Sequence, residues 1–198
     1  MTFVVRTGGW LFRQRSWLPL PLVAALLLIP PPDDVSGAPV APLWITGAVV
    51  VAIGECVRLW AVHHIGAISR TRSDRLGPLV ATGPFAHVRN PLYLGNVLLW
   101  AGFTISARLL WLAPIVVVLL ALEYHAIVRW EERLLTERIG EPYSRYVAGV
   151  PRWMPSFGAR ILPDAAVTFS WRQTLFSERG TLIAIALGFA LLYVKLKT

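Results

Sequence analysis

Gly77-Pro78-Leu79-Val80-Ala81-Thr82-Gly83-Pro84-Phe85-Ala86-His87-Val88-Arg89-Asn90-Pro91-Leu92-Tyr93 opens the segment on which the reading of this chain turns. A long apolar run follows, interrupted at Arg108, and ends in Trp130-Glu131-Glu132. Gly140-Glu141-Pro142-Tyr143-Ser144-Arg145-Tyr146 and Val150-Pro151-Arg152 complete it. Asn90-Pro91 predicts a helix start, with Asn as N-cap and Pro at the first helical position. A helix over Pro91–Ser106 rises ~24 Å. A second, Leu109–Leu122 running on through Leu135, returns, and Gly140 and Pro142 stop it. Up then down puts Tyr93 and Glu131 on one face, although 38 residues separate them. Polar residues are scarce in this chain, and here they collect at the two feet of one hairpin.

The composition sets the surroundings of that hairpin. Of 198 residues, 56% are hydrophobic and only 15% charged, and the mean hydropathy is +0.58. Such a chain could hardly cover a water-facing surface, so it reads as an integral membrane protein in a lipid bilayer. The net charge of +8 does not indicate nucleic acid, because the arginines sit between apolar runs rather than on one polar face. Cations beside anionic lipid account for it. The single cysteine, Cys56, excludes an internal disulfide and argues against a thiolate metal site. His63 and His64 are adjacent and diverge on a helix, and His87 and His125 lack a ligand at metal spacing, so no metal is assigned.

Outward from the hairpin, Leu43–Val62 is long enough for a crossing. Arg58 is expected to snorkel near its end, with Glu55 paired to it three residues away. Trp17–Ile29 is a shorter first span, and Thr181–Val194 a short last one. Met1–Ser16 is polar to mixed, and Pro30–Pro42 a proline-rich loop. No cleavable signal peptide is expected, since no small-residue cleavage site follows Ile29. Val150–Phe176 reads as irregular or interfacial. The positive-inside rule places the N-terminal arginines, the basic His63–Asn90 connection and Arg129–Arg179 inside, and the tip near Arg108 outside. Lys195 and Lys197 then fall outside, a weak violation. The fold class is all-α: a polytopic membrane helix bundle of about five transmembrane helices, with a cofactor site on the cytoplasmic face.

Arg89, Asn90, Tyr93, Glu131 and Glu132 can therefore form one polar cluster. Each has a plain structural reading: Arg89 on lipid phosphate, Asn90-Pro91 as a cap, Tyr93 as a belt aromatic. Glu132 with Arg129, and Arg133 with Glu137, would be surface pairs.

Together these residues resemble the isoprenylcysteine carboxyl methyltransferase family, within the wider group that includes phospholipid methyltransferases. The resemblance rests on Leu79-Val80, Gly83-Pro84-Phe85, Arg89-Asn90-Pro91-Leu92-Tyr93 and Glu131-Glu132. Gly140, Tyr143, Tyr146 and Val150-Pro151-Arg152 follow in order, and Gly54, Arg58, Trp60-Ala61 and Gly66 precede. It covers about Leu43 to Pro155. It implies S-adenosyl-L-methionine as cofactor and a small or lipophilic methyl acceptor. Gly77, Pro78, Leu79, Val80 and Phe85 would line the cofactor, and Asn90, Pro91, Leu92, Tyr93, Glu131 and Glu132 would contact it. Arg89, Glu131 and Glu132 would carry catalysis. The motif histidine is Asn90 here, which keeps a donor and an acceptor but cannot titrate; His87 is set aside as a substitute. Ile127 stands where relatives carry a substrate arginine, and Arg129 is the nearest candidate for that role. Residues 1–42 are then an N-terminal segment and first membrane helix. Residues 43–155 are the core methyltransferase region, and 156–198 an amphipathic connection and C-terminal membrane helix. Two alternatives stand beside this: a sterol-reductase-like NADPH enzyme, using Arg70, Arg72 and Arg75, and a non-catalytic protein that kept the fold.

Overall fold

A computed structural model describes residues 3–33, 39–66, 79–158 and 169–197. Among these residues the chain is all-α, with seven α-helices and no strand. They are α1 (Phe3–Gln14), α2 (Leu20–Leu28), α3 (Val40–Ile65), α4 (Pro91–Ser106), α5 (Leu112–Ile139), α6 (Glu141–Gly149) and α7 (Trp171–Lys195), with a 3-10 turn at Gly83–Ala86 before α4. Three of them, α3, α5 and α7, are long and apolar enough to cross a membrane. α2 has nine residues and α4 sixteen, short of the ~20 of a straight crossing. Three full-length candidate spans thus stand where about five were expected.

The expected hairpin is present, as α4 and α5. One face of α5, Leu112, Val116, Leu120 and Tyr124, packs into the main core with Leu26, Leu109, Ile127 and Leu192. The four-residue step is the repeat of one helical face. The outward residues Ile115, Val118, Leu119 and Leu122 are exposed, as are Ile45, Val49 and Ile53 of α3 and Ile183, Leu187 and Leu191 of α7. Continuous apolar bands of this kind suit lipid rather than water. α3 and α4 pack antiparallel through glycines seven residues apart on each helix. A Cβ on Gly54 would stand 2.8 Å from the Gly95 carbonyl oxygen, and one on Gly47 2.5 Å from that of Gly102. Small residues that let backbones approach hold helices together where no hydrophobic force acts between them.

Several expectations needed correction. Met1–Ser16 is not merely a polar lead: α1 forms there and packs on α5. Gly140 does end α5, with φ 72°, but Pro142 lies in the first turn of α6 instead of marking a stop. The final helix begins ten residues before Thr181, because Ser170 and Gln173 form a reciprocal capping box at its start. Arg108, expected at the tip, occupies the turn between α4 and α5 with φ 62° and is buried.

Arg58 does not snorkel. Its guanidinium donates to Glu178 at 2.7 Å, to Thr181 at 3.3 Å and to Asn96, and it stands 3.4 Å from Glu55 as expected. These partners draw it into the bundle and tie α3 to α4 and α7. Lys195 donates to the carbonyls of Leu26 and Ile29. It closes the C-terminal end of α2, so its charge has a local structural use beside any role in orientation.

Candidate active site

One end of the bundle gathers the C-terminus of α3, the 3-10 turn, the start of α4, the end of α5, and α6 with the segment after it. The feet of the hairpin meet there. Tyr93 Oη donates to both oxygens of Glu131, at 3.0 Å each, and its ring packs on Tyr124 with centroids 4.7 Å apart. Glu132 does not pair with Arg129, which is exposed. It accepts a two-pronged bond from Arg152, Nε at 2.9 Å and Nη2 at 2.7 Å. Arg89 Nη1 stands 3.4 Å from the same carboxylate. The Glu132 bond, the largest influence on Arg152, pushes that guanidinium's pKa upward.

Arg89 is the unusual member. Its side chain is only 9% exposed, yet its Nε and Nη1 lack a hydrogen-bond acceptor among the described residues. Buried guanidinium N–H groups normally find acceptors; Nη1 has the Glu132 carboxylate at ion-pair distance, whereas Nε has no acceptor among the described residues.

Asn90 departs from the expected cap. Its side chain makes no capping bond; Nδ2 donates across the site to the Arg152 carbonyl at 3.1 Å. The reason is the segment after α6, which runs beside residues 87–90. Arg89 N–H donates to the Pro151 carbonyl at 2.9 Å, and Ser156 N–H to the His87 carbonyl at 2.9 Å. His87 Nδ1 meets the Ser156 carbonyl at 3.1 Å, which occupies that ring with the same segment. Arg152, outside the expected site residues, is thus central to it. Its place in the Val-Pro-Arg tail was a readable signal.

The remaining positions frame the cluster. Phe85 is buried, and its carbonyl accepts from Tyr146 Oη at 2.8 Å. Leu79 packs on the buried group Ala81, Tyr143, Tyr146 and Val150. Val80 and Leu92 are half-buried and Pro91 is buried. Gly77 and Pro78 lie outside the described residues, as do Arg70, Arg72 and Arg75. His64 hydrogen-bonds Thr82 at 2.9 Å, joining α3 to the 3-10 turn. Among the described residues no group of three or more His, Cys, Asp or Glu side chains is placed to hold a metal ion.

Burial pushes the phenols of Tyr143 and Tyr146 well above their ordinary range. A phenol whose folded pKa is raised stabilises below its unfolded value, about 10, and that stability is lost as pH rises further. Tyr146→Phe removes the donor to Phe85 and leaves a buried carbonyl unpaired. It is expected to cost about 1–2 kcal/mol and to reduce the loss of stability above about pH 10. Thermal melts in detergent across pH check both; an unchanged melt would mean the bond to Phe85 contributes nothing.

An all-helical membrane bundle with an acid–arginine–tyrosine cluster at one end is the class that fold and site define. Residues 43–141 match the phospholipid methyltransferase family, and the chain belongs to it. It is similar to the nickel-cobalt-cadmium resistance protein NccN of Alcaligenes xylosoxydans xylosoxydans, 30% identical over 58% of this chain and 51% of that protein. It is also similar to the cobalt-zinc-cadmium resistance protein CzcN of Cupriavidus metallidurans, 29% identical over 60% of this chain and 52% of that one. The chain spans about half the length of these curated relatives. No solved structure matches it.

Proposed function

We propose that this chain is an S-adenosyl-L-methionine-dependent integral membrane methyltransferase acting on a small or lipophilic acceptor, with its site facing the cytoplasm. Family membership supports methyl transfer. The observation that carries the cofactor assignment is Arg89, a buried guanidinium whose Nε lacks a hydrogen-bond acceptor among the described residues, in one cluster with the Glu131 and Glu132 carboxylates. An amino-acid tail needs that pairing: a cation for its carboxylate and an acid for its ammonium group.

The two acids divide the work. Glu132 is engaged by Arg152 and Arg89 and holds the segment after α6 against the site. Glu131 accepts only the Tyr93 hydroxyl among the hydrogen bonds described. A carboxylate has about four acceptor positions, so Glu131 keeps capacity for an ammonium group. Arg89 takes the tail carboxylate on its Nε side, the Nη1 side being turned to Glu132. Tyr93 fixes the Glu131 rotamer. Asn90, bonded to the Arg152 carbonyl, acts by positioning and needs no proton. Arg129 is exposed and is given no part in this arrangement.

When bound, the cofactor would supply an activated methyl group on a sulfonium for transfer to a nucleophile, its own sulfur being the leaving group. The protein's part would be to orient the acceptor's nucleophile toward that methyl group and exclude water. A lipophilic acceptor reaches the site sideways from the bilayer.

Titration calorimetry with S-adenosylhomocysteine in detergent tests the binding claim. Incubation with labelled methyl donor and a membrane extract then finds the acceptor. Stabilisation by NADPH in place of S-adenosylhomocysteine would support the reductase reading, and no response to either would support a non-catalytic one. Glu132→Ala is expected to weaken binding and also to lower stability by about 2–3 kcal/mol, because it strands two arginines beside a lost acid. A wild-type melting temperature in that variant would show that the Arg152 clamp is not structural.

A further inference from the structure

Residues before Leu43 lie outside the matched family region, and α1 among them is a helix with two unlike faces. One face, Val5, Gly8 and Gly9, is buried against α5. A Cβ on Gly8 would stand 1.9 Å from the Ala126 carbonyl oxygen, and one on Gly9 2.8 Å from Trp130 Nε1. Phe12 follows one turn later, its ring centroid 4.9 Å from that of Trp130. The contacts advance by four residues on both helices, so α1 and α5 run in the same direction. The start of α1 therefore lies near the apolar stretch of α5 where Val118, Leu119 and Leu122 are exposed. Its end lies level with the last turns of α5.

The other face is open. Phe3, Arg6, Trp10 and Arg13 are exposed, and with Thr7 they line one groove along the helix. Steps of three, four and three residues keep them on one side. Among the described residues neither Arg6 nor Arg13 has a hydrogen-bond or acidic partner. No Asp or Glu stands before Asp33, so this end of the chain holds nothing to neutralise them. Cations interleaved with aromatic rings, on a helix laid along a candidate span, make up a segment seated at the lipid–water boundary. We propose that this face of α1 holds an anionic phospholipid, its phosphate on Arg6 and Arg13 and its acyl chains along Trp10 and Phe3. A guanidinium receives a phosphate through paired N–H donors. A zwitterionic lipid offers the same phosphate with its own cation attached, which the arginines repel, so net charge makes the choice. An acidic soluble partner would meet the arginines but not the apolar stretch beside which the helix begins.

The test is native mass spectrometry of the full chain in detergent, with phosphatidylglycerol or phosphatidylcholine of matched acyl chains. Wild type is expected to retain phosphatidylglycerol about tenfold more than phosphatidylcholine. The variant carrying both Arg6→Gln and Arg13→Gln is expected to hold the two lipids equally. Its melting temperature should stay within about 2 °C of wild type, because both side chains are exposed. Arg133→Gln removes an exposed arginine outside the groove and should keep the preference. Equal retention of both lipids by wild type would overturn the proposal. An equal loss in Arg133→Gln would do so too, by making the preference a matter of total charge. If inorganic phosphate raises the wild-type melting temperature as far as phosphatidylglycerol does, the face takes soluble anions and the lipid assignment falls. A two-chain mass that the double variant abolishes would give the face to a second copy instead. Should the double variant melt early, the single variants decide: each is expected to lose about threefold of the preference, and an intact preference in both would overturn the proposal. None of these outcomes depends on S-adenosylhomocysteine binding.

Discussion

Glu131→Gln is expected to lose about 100-fold in affinity for S-adenosylhomocysteine, from about 2.7 kcal/mol of charge-assisted hydrogen bonding. Its melting temperature should stay at the wild-type value. Glutamine keeps the length and planar end of the side chain, and its carbonyl can still accept from the Tyr93 hydroxyl. What it lacks is the charge, and a carboxylate facing an ammonium group depends on charge more than on shape. The contrast with Glu132 makes the result informative. Glu132 is already committed to Arg152 and Arg89, so its removal disturbs the fold of the site as well. Binding lost without stability in one variant, and both lost in the other, is the pattern that this division of labour requires. Wild-type affinity in Glu131→Gln would remove the ammonium partner and with it the proposed mode of cofactor binding.

The central geometry was legible because it follows from helix arithmetic. Two opposed helices joined by a short turn must bring Tyr93 and Glu131 to one end, and a hydrogen bond joins them. The partners of Arg58 were not legible in the same way. Glu178 lies 120 residues away, and no local periodicity can name a partner on another helix. The same limit hid the Glu132–Arg152 clamp: spacing along α5 suggested Arg129, whereas the segment after α6 folds back and supplies a better-aligned guanidinium. Asn90-Pro91 gave the right helix start for a partly wrong reason, since Asn90 turns its amide to that same segment. Two signals were present and passed over. Ser170-x-x-Gln173 is a capping box and places the start of α7. The glycines at 47, 54, 95 and 102 repeat at seven and pair across α3 and α4. The docking of α1 on α5 had no signal at all, because helix propensity says nothing about which helix docks where.

Arg58→Ala is expected to be the most destabilising single change, by about 3–5 kcal/mol, because removing one partner of a buried ion network strands the others. Glu178 is 1% exposed and Glu55 6%, and both acids sit against this one guanidinium. In an apolar surround neither can be rehydrated cheaply. The variant should show a lowered melting temperature in detergent and loosened contact of α7, seen as faster proteolysis near Ser170. The cause can be separated from simple loss of packing. Arg58→Met together with Glu55→Gln and Glu178→Gln removes the charges as a set while keeping the volumes. It should recover most of the loss, since replacing all partners of a buried ionic group is often close to neutral. If the triple variant is no more stable than Arg58→Ala, stranded charge is not the cause, and Arg58 contributes through its stem and its bond to Asn96. Asn96 lies one turn from Tyr93 on α4, so a shift of α3 or α7 about this arginine would be felt at the candidate site. Arg58→Ala is accordingly expected to weaken S-adenosylhomocysteine binding although it touches none of the proposed cofactor contacts, and the triple variant to restore it along with the melting temperature.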